Sequence, residues 1–167
     1  MPARALTNYA YTTTLTPQRE PSVRGEDDIP AAGNVILVTA PKSLRELFDQ
    51  IGLEEVPSTD GTVVMEMPVD ERVTNTAGGL QGGLIATMAD VTAGQLAARS
   101  TPFGHAVATT DLFIRYLRPI KERNGPARAV AKILRTGKRS VVIQVDIYRG
   151  DDGELGATAT VNFAAVG

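Results

Sequence analysis

The sequence predicts an α+β domain in which successive antiparallel strands pack on one long helix. Two observations carry this. Four strand-like stretches, at 105–119, 127–135, 140–149 and 154–166, follow one another with no helical pattern between them. Parallel βαβ units would need a helical crossover at each step, so the strands are expected to pair antiparallel. Ahead of them, "QGGLIATMADVTAGQLAA" is a long apolar segment, read as a helix over roughly 82–98 that must cover the sheet. A chain of 167 residues suits one such domain.

Residues 1–33 are polar, hold four of the prolines and carry the cluster "RGEDD". They read as a mobile or partner-stabilised arm. "NVILVTAP" reads as a short strand closing it, and we divide the chain into an N-terminal arm, 1–40, partly flexible, and a domain, 41–167. "PKSLRELFDQIG" reads as a short amphipathic helix. Ser43 is placed as its N-cap, Leu44, Leu47, Phe48 and Ile51 take i, i+3, i+4, i+7 spacing, and Gly52 is the stop. "GTVVMEMPV" alternates as a strand, with Val63, Met65, Met67 and Val69 on one face.

The four later strands have the same logic. In "HAVATTDLFIRYLRP", Leu112, Ile114 and Tyr116 share a face, Arg115 lies on the other, and Pro119 marks the end. "ARAVAKILR" puts Ala129, Ala131 and Ile133 on one face, and "TGK" is a turn. "SVVIQVDIYR" puts Val141, Ile143, Val145 and Ile147 on one face, with Gln144 and Asp146 on the other. "GDDG" is a turn, and "ELGATATVNFAAV" is the last strand.

Composition excludes several kinds of chemistry. The net charge of −2 argues against a nucleic-acid binder that works through a large basic field. There is no cysteine, so disulfides, thiolate nucleophiles and cysteine zinc sites are excluded. There is one histidine, His105, and it reads as a loop residue at a strand boundary. No run reaches the roughly 18 apolar residues of a membrane helix. "MPARALTNYAYTTTLTPQREP" lacks the apolar run of a signal peptide, so a cytoplasmic protein with no membrane and no nucleic-acid partner is expected.

Between Arg72 and Arg99 the only charged residue is Asp90. On a helix its i±3 and i±4 neighbours are Ala86, Thr87, Ala93 and Gly94, all small, which defines a stripe open to close approach. Leu84, Ile85, Met88, Val91 and Leu96 form the expected sheet-facing side. A lone carboxylate is costly to bury. It therefore marks a site or an interface, or it is a structural aspartate that caps a neighbouring loop. Just before it, "NTAGGLQGG" has four glycines in nine residues. Glycines at a helix start let backbone N–H groups face a ligand, and the helix dipole favours negative charge there; a tight loop is the plainer reading.

"N-x-x-G-G-L-Q-G-G-x-x-x-x-M-A-D-x-x-x-G" followed by "T-T-D-L-x-I-x-Y-L-R-P" resembles the hotdog-fold acyl-CoA thioesterases of the PaaI-like type. The likeness spans about residues 43–165. It implies a long central helix wrapped by a curved antiparallel β-sheet, self-association as a homodimer or homotetramer, and an acyl-CoA substrate. Coenzyme A is then part of the substrate, and no further cofactor or metal is expected. By position, Asp90 is implied as general base or nucleophile, and the Gly82 N–H as the donor that polarises the thioester carbonyl. Asn75 lies by the same carbonyl or helps place water, and Thr109 orients the water or Asp90. Gln81 and Gly83 belong to the same substrate-binding helix start, with Gln81 standing where the family most often has histidine. Glutamine hydrogen-bonds but carries no proton at neutral pH. The phosphates of coenzyme A call for cations, and Arg115, Arg118, Lys138 and Arg139 are the candidates, each otherwise a solvated surface charge.

Geometry adds a constraint. Gly82 and Asp90 are eight residues apart, about 12 Å along one helix at 1.5 Å per residue. They cannot both reach one carbonyl group, so a site using both takes them from different subunits. The expected activity is hydrolysis of an acyl-CoA thioester to a free acid and coenzyme A. The alternative is a hotdog protein that binds acyl-CoA or an acyl group without turnover.

Overall fold

A computed structural model describes residues 43–58, 61–100, 106–150 and 152–166. The expectations for the arm, for the strand at "NVILVTAP" and for His105 lie outside these residues.

The first element among the described residues is α1 (Leu44–Ile51). Ser43 caps it as expected: its Oγ accepts from the Glu46 amide at 3.1 Å. Gly52 ends it in the left-handed conformation, φ +68°, and donates its own N–H to the Asp49 carbonyl. Phe48 and Ile51 pack against the core, whereas Leu44 and Leu47 are exposed. Next come β1 (Glu54–Val56) and β2 (Val63–Met67). The long helix α2 (Gly82–Ser100) follows, then β3 (Val107–Tyr116). A single 3₁₀ turn at Glu122–Asn124 leads to β4 (Ala127–Thr136), β5 (Ser140–Arg149) and β6 (Leu155–Ala165).

The six strands form one antiparallel sheet in the order β1-β2-β4-β5-β6-β3. The sheet wraps the helix, and α2 packs against β2, β3, β4, β5 and β6. The inward faces read from sequence are the faces observed, although Val64, between Val63 and Met65, is buried as well. Val63, Met65, Met67 and Val69 are buried, and so are Ala129 and Ala131, with Ile133 half-buried. Val141, Ile143, Val145 and Ile147 are fully buried, opposite Ala157, Ala159, Val161 and Phe163 of β6. These side chains and the inner face of α2 make the core. Each fully buried Val, Leu, Ile, Met or Phe side chain contributes about 1.5–3 kcal/mol, and each alanine less.

One helix-face expectation is corrected. The core-facing stripe of α2 is Ile85, Met88, Ala89, Thr92, Ala93, Leu96 and Ala97. Ala93 belongs to the core, not to the open stripe beside Asp90. Leu84 and Val91 are only half-buried. The helix is apolar nearly all round, so the large side chains alone mis-set its phase by part of a turn. Thr92 is accommodated in the core because its hydroxyl donates to the Met88 carbonyl one turn back, at 2.6 Å.

On the surface, Arg99 grips both Glu55 oxygens and ties the end of α2 to β1. Its hydrogen bonds hold the Glu55 carboxyl below the ordinary range. Arg72 does the same to Asp70 and also donates to the Gln50 carbonyl, fixing α1 to the following loop.

Candidate active site

The loop before α2 is shaped by Asn75. Its Oδ1 accepts from the amides of Ala77 and Gly79, at 2.9 and 3.2 Å, and its own N–H donates to the Gly79 carbonyl. Its side-chain NH₂ has no acceptor among the described residues. The same turn is anchored from outside: Leu80 donates to the Ile120 carbonyl and Gln81 to the Val73 carbonyl.

Gln81 then starts the helix. Its carbonyl accepts from Leu84 and Ile85, and its side-chain Oε1 accepts from the Leu84 amide at 2.9 Å. Gln81 is therefore an N-cap, folded back on its own helix and absent from the cavity wall. The next two amides, Gly82 and Gly83, are the ones an α-helix leaves without an internal partner, at the positive end of its dipole. Beside them is a cavity of about 550 Å³, within the usual size of small-molecule sites. Asn75, Gly82, Gly83, Tyr116 and Arg118 line it, with Ile85 and Ile120 among its apolar wall.

Asp90 lies elsewhere. It sits more than two turns along α2, half-buried, and its Oδ1 accepts from the Thr109 hydroxyl at 2.8 Å. Neither residue lines the cavity. The partner observed for Asp90 among the described residues is a strand side chain.

Strand β3 serves both places through a bulge. Thr109 pairs with Phe163 and Asp111 with Asn162, which leaves Thr110 as an extra residue. Side chains alternate along a strand, so residues seven apart would face opposite ways. The bulge corrects the phase: Thr109 faces inward beside Phe163, and Tyr116 faces inward beside Ala157. Thr109 thus reaches Asp90, and the Tyr116 hydroxyl donates to the Gly82 carbonyl at 2.8 Å. Tyr116 at the site was missed by the sequence reading, which placed it correctly on the face of Leu112 and Ile114 but gave it no partner.

The four cations separate. Arg118 stands in the cavity wall, steered by the Leu155 carbonyl and by Glu154, 3.4 Å from its Nε. Arg115 is on the outer face of the sheet, with its guanidinium carbon 5.2 Å from the centre of the Phe113 ring, away from the cavity. Lys138 and Arg139 are exposed in the β4–β5 turn. That turn lies at the Thr109 end of the sheet, since Ser140 pairs with Ala164 and Ala164 with Ala108. It is about 25 Å along the strand from Tyr116, at ~3.4 Å per residue. Among the described residues no three His, Cys, Asp or Glu side chains gather into a possible metal site. No described helix is long and apolar enough to cross a membrane.

Residues 77–155 match the family model of the Thioesterase superfamily. Human acyl-coenzyme A thioesterase 13 is 30% identical over 118 residues, covering 71% of this chain and 81% of that protein. The chain belongs to the thioesterase superfamily. Solved structures agree on the fold. A Bacillus halodurans protein crystallised with CoA is 30% identical, with a TM-score of 0.66 over 73% of this chain and 79% of that one. The E. coli PaaI protein, at 20% identity, has a TM-score of 0.64 over 72% of this chain and 84% of its own. The six-stranded antiparallel sheet around a central helix is the hotdog thioesterase fold, and this chain is a thioester hydrolase.

Proposed function

We propose that this thioesterase hydrolyses an acyl-CoA thioester to a free acid and coenzyme A, at a site that two copies of the chain build together. The observation that carries the shared site is the separation of its parts. The cavity with its amide donors is at the first turn of α2, and the carboxylate is at the middle of that helix, beside the opposite end of β3. β3 is an edge strand whose outer backbone groups have no partner among the described residues, and such an edge invites pairing with a second copy. Antiparallel pairing of β3 with its twin would bring Asp90, Thr109, Lys138 and Arg139 of one copy toward Gly82, Asn75 and Arg118 of the other.

In that arrangement the thioester carbonyl lies against the Gly82 N–H and the Asn75 NH₂. Asp90, oriented by Thr109, takes a proton from water as the water oxygen attacks the carbonyl carbon. Negative charge grows on the carbonyl oxygen, where fixed N–H donors are most effective. The C–S bond then breaks, and the departing sulfur receives the proton from Asp90. Arg118 and the two turn cations are suited to the phosphates of coenzyme A. Arg115 has no part in this site.

Gln81 in place of histidine favours the reading without turnover only where that position has to move a proton. A glutamine that caps the helix has a structural task needing no proton transfer, which favours the enzyme. The test is thiol release over short, medium, long and aromatic acyl-CoAs. At least one class should be turned over, and a folded protein inert to all of them would sink the catalytic reading.

A further inference from the structure

Gly82 and Gly83 form the first turn of α2 with no side chain to pack, and glycine is a poor helix former. The amides meant to hold a developing oxyanion therefore sit on the part of the helix most prone to fray. Each of their two peptide groups is nonetheless held at its carbonyl. The Gln81 carbonyl accepts from Leu84 and Ile85. The Gly82 carbonyl accepts from Tyr116, whose hydroxyl can only be the donor in this contact. The tether comes from outside the helix, on a residue that also lines the cavity. The phenol ring lies directly over Gly82, close enough that a Cβ at that position would rest 3.6 Å from it, in ordinary contact.

We infer that Tyr116 is a positioning residue for the hydrolysis: its hydroxyl fixes the Gly82–Gly83 peptide so that the first-turn amides stay aimed at the substrate carbonyl. Drawing the Gly82 carbonyl into a second hydrogen bond also polarises that peptide and strengthens the Gly83 N–H as a donor. The Thr110 bulge is part of the device, since without it Tyr116 and Thr109 could not both face the helix. The inference rests on the thioesterase reading above.

Two variants test it on whichever acyl-CoA the native protein hydrolyses, well below the melting temperature of each. Tyr116→Phe keeps the ring and removes the hydroxyl; Tyr116→Leu removes both. If the hydroxyl is the working part, both lose kcat by about tenfold, in keeping with one lost hydrogen bond, while KM stays within about twofold. Native kcat in Tyr116→Phe overturns the inference, and so does a loss seen only in Tyr116→Leu, which would make the ring a packing element. A raised KM with unchanged kcat overturns it too, by making Tyr116 a substrate contact. The two readings fail differently: an inert native protein removes the thioesterase reading and this one with it, whereas an active native protein with an active Tyr116→Phe removes this one alone.

Discussion

Helix α2 meets β3 twice, and the two meetings offer opposite chemistry. At the first turn there are N–H groups with no partner among the described residues, a glycine surface, and a cavity with no carboxylate or histidine in its wall. More than two turns on there are a carboxylate and a hydroxyl bonded to each other, and neither lines that cavity. One end can receive negative charge; the other can receive a proton. A single straight helix holds them about 12 Å apart, so rigidity keeps the two functions from meeting within one chain. The same element that stabilises the fold thereby argues for a second copy.

The largest expected effect comes from the proton-accepting end. Asp90→Asn keeps the shape and can still accept from Thr109, so it isolates the charge. Turnover should fall on the order of 100-fold or more, the scale of losing a general base, with the circular-dichroism spectrum unchanged. Near-native hydrolysis would return Asp90 to a structural role and leave the first turn as the whole site.

The next test asks whether the two ends work across chains. Asn75→Ala and Asp90→Asn should each be poor enzymes alone. If the donors come from one copy and the base from the other, a mixed dimer has one site with both defects and one with neither. Random exchange makes half the dimers mixed, so co-refolding should restore roughly a quarter of native activity, given two equivalent sites per pair. Variants refolded separately and then combined are the control. Mass-tagged chains that exchange without any regain would show that these residues are not divided between copies.

The two ends were also unequally legible in the sequence. Asp90 stood out because it is the only charge between Arg72 and Arg99, and the helix span was read to within two residues at its C-terminal end. The inward faces of β2 and β5 followed from the polar residues between their apolar ones, Glu66 in β2 and Gln144 and Asp146 in β5. The short strand Glu54–Val56 carried no such signal, with two glutamates in three residues. Ala93 was misplaced because a small residue on an all-round apolar helix gives the eye nothing to phase. The Thr110 bulge and the Tyr116 bond depend on a one-residue slip in pairing that local pattern does not encode. Gln81 escaped as a cap because glutamine is not among the residues that favour that position.

Gln81 gives the smallest expected effect and separates shape from chemistry at the first turn. Its Oε1 satisfies the Leu84 amide, so Gln81→Ala should lose a cap worth about 1 kcal/mol. For a chain of this length that corresponds to a melting temperature lower by about 2–4 °C. Gln81→His should lose less, because a neutral imidazole nitrogen can accept the same hydrogen bond. It also restores the residue usual in the family, so turnover should be retained or raised. Scanning calorimetry and thiol release on the same samples check both. A cap acts by holding the turn, so any loss of activity in Gln81→Ala should be modest and should track the stability loss. If instead Gln81→His abolishes turnover while melting at the native temperature, the amide has a chemical task at the cavity, and the division between a donor end and a base end must be redrawn to include it.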